Sequence, residues 1–117
     1  MGTVFPDYPN PGRPVDFAIY KGRRLLALGL AHHDSDRGGS QEDRGPGDSR
    51  DFVREILEYT DSKRLRTKVI LLNDGPGLLL GSMWNDHAQI ERIRPSQVRV
   101  VTLRMVPERV TREWLRS

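Results

Sequence analysis

The residues of this chain best suited to chemistry are acids close to the ends of apolar stretches. Asp16 follows Pro14 and Val15 and opens the alternating segment "DFAIYK". A carboxylate at the mouth of a strand projects into the cleft at the sheet's edge. There a hard cation such as Mg²⁺ is held by one or two carboxylates together with phosphate and water. The plainer reading of Asp16 is a solvated edge acid or a turn cap. Asp34 and Asp36 are two residues apart, so on an extended segment they share one face, and Glu42 follows in the same loop. These three are candidate partners for a shared cation, or else solvated loop acids.

All three belong to "GLAHHDSDRGGSQEDRGPGDSRD", residues 29–51, which holds six acids, five glycines and two adjacent histidines. His32 and His33 point to opposite sides of an extended chain and cannot both face one metal. "RGGSQEDR" suits close approach to a nucleic-acid backbone. Gly38 and Gly39 leave room, while Arg37, Ser40, Gln41 and Arg44 offer donors to phosphates or base edges. A flexible connection reads equally well from the same residues. "NDGPG", residues 73–77, has the glycines of a phosphate loop without its spacing or lysine, so it is read as a turn.

These residues need elements to position them. Residues 1–14 contain four prolines and read as an extended proline-rich arm, with a single α/β domain over 15–117. "VDFAIYK", the turn "GRR" and the apolar run "LLALGLA" form a hairpin. Ser49 is the expected N-cap of a helix over "RDFVREILEYTDSK", whose Phe52, Val53, Ile56, Leu57 and Thr60 share one face. "RTKVILLN" reads as a buried strand, "MWNDHAQIERI" as a second helix, "QVRVVTLRM" as a further strand and "TREWLR" as a short helix capped by Thr111. Strand–helix–strand alternation implies parallel pairing, and the hairpin makes the sheet mixed. The expected class is α/β, a three-layer mixed sheet.

A Pro-x-Asp at the mouth of one strand, a turn, a second apolar strand, a helix and a further strand together resemble the PD-(D/E)XK core of type II restriction endonucleases. "DSDRGGSQEDR" and "NDGPGLLLGSMW" are also similar to segments of such enzymes. The resemblance covers Arg13 to Val106. It implies a restriction-endonuclease-like fold and Mg²⁺-dependent hydrolysis of double-stranded DNA by a homodimer. Asp16 would be the metal ligand, and Arg37, Gln41 and Arg44 would contact DNA. The second strand should then end in Asp/Glu-x-Lys, but this chain has Gly29-Leu30-Ala31. Three alternatives follow. The missing ligand is supplied by Asp34, Asp36 or Glu42, with Arg37 or His33 stabilising charge. The fold has lost its chemistry and binds nucleic acid or a protein. Or the chain is part of a larger nuclease.

Composition narrows the classes further. The 117 residues suit one domain, 36% are hydrophobic, and the formal net charge is +3. There is no cysteine, which removes disulfides, thiolate metal sites and thiol nucleophiles. Neither a Gly-x-Ser-x-Gly elbow nor a His-Glu-x-x-His pair is present. No apolar run is as long as a membrane span and no signal pattern opens the chain, so the expected location is the cytoplasm. Acids outnumber bases from Asp34 to Asp51, while bases dominate Lys63–Lys68 and Arg92–Arg116. Arginine far exceeds lysine, and its planar fork suits phosphate.

Overall fold

The computed structural model describes residues 1–33, 46–74 and 89–117. They form a four-stranded mixed sheet of order β1-β2-β3-β4, flanked by helices. β1 (Phe17–Lys21) runs antiparallel to β2 (Arg24–His33). β3 (Lys68–Asp74) lies parallel to β2, and β4 (Val98–Val101) parallel to β3. Between β2 and β3 the chain passes through α1 (Pro46–Lys63). β4 is followed by a 3₁₀ turn, Leu103–Met105, and two short helices, α2 (Val106–Arg109) and α3 (Arg112–Arg116).

The hairpin turn has room for only two residues, because Lys21 and Arg24 are already paired. Gly22 takes φ 63°, and a positive φ at the first of two loop positions matches the right-handed twist of the strands. The register then shifts between Ile19 and Tyr20, which pair with Ala27 and Leu25 and leave Leu26 of β2 as the extra residue of a bulge.

Alternation along the strands divides the core in two. Leu28, Leu30, Val69, Leu71, Val98 and Val100 meet Phe52, Val53, Ile56 and Leu57 of α1. On the other face Ala27, Ile70 and Val101 pack with Trp114 of α3. Each large apolar side chain fully buried in this way contributes about 1.5–3 kcal/mol. The α/β class and the mixed sheet expected from the sequence are therefore present, with helices on both faces.

Several boundaries differ from expectation. α1 begins at Pro46, so Ser49 is a buried residue within the helix and not its N-cap. A proline is well tolerated in a first helical turn, where its missing N–H has no intrahelical partner. The alternating "QVRVVTLRM" keeps strand geometry only over Val98–Val101. Met105 N–H then bonds Thr102 O, tightening the chain into the 3₁₀ turn ahead of Pro107. Of the expected second helix, 89–91 are helical, Arg92 and Ile93 form a turn, and 83–88 lie outside the described residues. Thr111 does cap α3, its side chain accepting the Trp114 N–H at 3.1 Å.

Residues 1–14 make successive turns against α1. Phe5, Tyr8 and Tyr59 pack together, with ring centroids 4.7 Å apart for Phe5–Tyr59 and 4.9 Å for Tyr8–Tyr59. The Tyr59 hydroxyl donates to Asp7 at 2.5 Å, and Arg13 binds Glu55 at 3.0 Å. The Tyr8 hydroxyl is buried near the Glu55 carboxylate, but not in hydrogen-bonding geometry. Burial, with that carboxylate nearby, holds the Tyr8 phenol well above its ordinary pKa.

Candidate nucleic-acid interface

Of the acids singled out by sequence, Asp16 is described. Asp34, Asp36 and Glu42, with Arg37, Gln41 and Arg44, lie outside the described residues. Asp16 is exposed and stands one residue before β1. Its backbone N–H donates to Gly29 O at 2.9 Å, and its Oδ2 accepts the Ala31 N–H at 2.9 Å. The carboxylate thus prolongs the β1–β2 ladder past its last paired residue. The same edge of the sheet carries the C-terminal ends of β2 and β3, where His32 pairs in register with Asn73 and His33 with Asp74. Among the described residues no three His, Asp or Glu side chains gather closely enough to hold a metal.

The place where the nuclease pattern calls for an acid has a specific local use. Gly29 lies directly opposite Phe17, and a Cβ built on it would come within 2.0 Å of the Phe17 ring. The ring covers the glycine, an arrangement that restores packing where a strand lacks a side chain. Neither an acid nor any other side chain fits at 29 while Phe17 keeps this position.

A different set of side chains converges at the opposite end of the sheet. Arg24 begins β2 beside the hairpin turn, and Arg64 and Arg66 lie on the connection from α1 to β3. These three, with Phe5, Leu25, Leu26, Leu65, Thr67 and Leu115, line a groove of about 420 Å³. A second hollow of about 440 Å³ adjoins it across the shared Leu26 and Leu115, and is edged by Lys21, Arg112 and Arg116. All six basic residues are exposed. Four other cations are matched, as Arg13 pairs with Glu55, Lys63 with Asp7, Arg94 with Asp61 and Arg109 with Glu91. Among the described residues, none of the groove's six takes part in a salt bridge.

The positive field of this end is felt by Lys68, which is buried under it. Its Nζ donates to Ser117 O at 2.6 Å and stands 5.9 Å from the centroid of the Trp114 ring. Burial lowers its pKa, and the charges of Arg66 and Arg24 lower it further. Arg64 adds a backbone signal. It occupies φ 58° immediately after α1, where Leu65 N–H bonds Thr60 O at 2.8 Å and Arg64 N–H bonds Asp61 O at 3.3 Å. This is the paired closure of a helix C-terminus whose left-handed residue is normally glycine. Arginine at that position costs about 1 kcal/mol relative to glycine.

Sequence reasoning located two of the contributing runs, Lys63–Lys68 and Arg92–Arg116, as basic. It assigned "VDFAIYK" only to a strand and "GRR" only to turning the chain, so the contribution of Lys21 and Arg24 was missed. Comparison with protein-family models, curated proteins and solved structures finds no match to this chain. Among the described residues no helix is long and apolar enough to cross a membrane.

Proposed function

We propose that this chain is a nucleic-acid-binding α/β domain that engages phosphates through the arginine groove at the hairpin end of its sheet. The observation that carries this reading is the convergence of six exposed cations, unmatched by acids among the described residues, on two adjoining hollows. Arginine forks match phosphate oxygens in pairs, and cations lacking protein partners are the ones able to displace the counterions of a polyanion. The proposed compartment is the cytoplasm. Fluorescence anisotropy with a labelled oligonucleotide at rising salt tests the reading. Binding that weakens steeply with salt supports it, and no binding at low salt refutes it.

A second reading, Mg²⁺-dependent phosphodiester hydrolysis, is favoured by the position of Asp16 beside the ends of β2 and β3. Ligands of open α/β sheets bind at the C-terminal ends of parallel strands. This reading takes the sheet as restriction-endonuclease-like, with Asp16 and one of Asp34, Asp36 or Glu42 as metal ligands. Arg37, Gln41 and Arg44 contact double-stranded DNA, and the active species is a homodimer. Cleavage with Mg²⁺ or Mn²⁺ should then vanish in Asp16→Asn, which keeps an oxygen acceptor for Ala31 while removing the charge. Equal cleavage by the variant, or none by either protein, removes Asp16 from catalysis.

A further inference from the structure

The lining of the groove is not only cationic. Phe5, Leu25, Leu26, Leu65 and Leu115 supply most of its floor, and Leu65 remains 40% exposed amid arginines. Phosphates gain nothing from such a floor. Flat apolar faces do, and nucleobases carry flat faces next to phosphates. Phe5 is also held as a platform, lying nearly parallel to Tyr8 at 18° and 6.1 Å and braced by Tyr59 at 4.7 Å. Its packing partners come from the arm and α1, and it lines the groove. Tyr20, 52% exposed, is paired in register with Leu25 across the hairpin and stands on the same side of the sheet, beside the groove.

We infer that the groove takes a single-stranded nucleic acid, with unpaired bases stacked on Phe5 and Tyr20 and the backbone tracked by the surrounding arginines. This rests on the phosphate-binding reading above and names its ligand more narrowly. A duplex keeps its base faces stacked inside and offers the apolar floor nothing, so it would meet only the rim cations. Stacking platforms set within a cationic groove are the general solution for unpaired strands. The two hollows, about 420 and 440 Å³, fall in the range of small-ligand clefts and share a wall, as successive nucleotides require. Base stacking tolerates any sequence, because every base has a π-face.

The test is anisotropy with one labelled strand of about 20 nucleotides of low self-complementarity, used alone and annealed to its complement. Wild type is compared with Phe5→Leu and Tyr20→Ala, and thermal melting shows that each variant is folded. Wild type should bind the single strand at least about fivefold more tightly than the duplex. Each variant should lower single-strand affinity about fivefold or more while leaving duplex affinity within about twofold. Tyr20 is exposed, so its variant carries the test even where Phe5→Leu disturbs the arm. Equal or tighter duplex binding overturns the inference, as does a single-strand affinity that neither substitution moves. Binding to neither form overturns the phosphate-binding reading itself, which separates the two failures.

Discussion

Gly29 and Arg64 show opposite relations between residue type and local structure. At Gly29 the absence of a side chain is required, because the Phe17 ring occupies the space a Cβ would need. Gly29→Ala should therefore destabilise the fold by about 1–3 kcal/mol, read as a lower midpoint in urea with unchanged slope. At Arg64 a side chain is present where none is favoured. Arg64→Gly should raise stability by about 1 kcal/mol in the same titration and weaken oligonucleotide binding, since the side chain lines the groove. A variant neither more stable nor weaker in binding would show that the arginine is incidental. Both residues were visible in sequence only as a departure from a pattern and as one basic residue among several. Asp16 was legible as an acid at a strand's mouth. Its bond to Ala31 was not, because register across a hairpin is set by the turn and by packing rather than by the acid.

At the scale of elements, the arm and α1 form the most distinctive pairing, and its polar contacts carry a pH signature. Hydrogen bonds from Lys63 and then Tyr59 hold Asp7 below the ordinary carboxylate range. For Glu55, burial raises the pKa, but hydrogen bonds and charge from Arg13 outweigh it and the net shift is downward. Folded values below unfolded ones give stability that is fully present above the ordinary values of 3.8 and 4.5 and is lost as pH falls through the lowered ones. Burial and the Asp7 carboxylate push the Tyr59 phenol up to about 12, so its contribution is lost as pH rises from 10 toward that value. The melting temperature should thus fall below about pH 4, with a smaller fall in Glu55→Gln, and fall again above about pH 10. An unchanged acid limb in Glu55→Gln would mean that the Arg13 contact contributes nothing.

The apolar face of α1 and the Thr111 cap were readable because both depend on residues a few positions apart. The early end of β4 was not. It comes with the turn that Met105 N–H closes on Thr102 O, while at the strand's outer edge the Glu91 carboxylate accepts the Val100 N–H at 2.9 Å and Arg109 donates to Val100 O at 3.2 Å. Together these close the outer edge of β4 against further pairing. Alternation alone cannot report contacts that reach across nine residues in each direction.

Over the whole molecule, the net charge of +3 conceals a division of labour. Among the described residues, four basic side chains are tied to acids in salt bridges, and six others that take part in none are gathered around two hollows. Sequence clusters pointed to two of the contributing runs, but only the sheet brings the hairpin turn, the α1–β3 connection and α3 to one end. The measurement that tests this account most directly is oligonucleotide affinity against salt for wild type and for a combined Arg24→Ala, Arg66→Ala, Arg112→Ala variant. All three residues are exposed, so melting temperature should hardly change. Wild type should show log affinity falling linearly with log salt, and the variant should bind at least about tenfold more weakly at low salt, with the slope reduced by about two to three. Wild-type affinity that ignores salt, or a variant that binds as tightly as wild type, would contradict the assignment of this groove to nucleic acid.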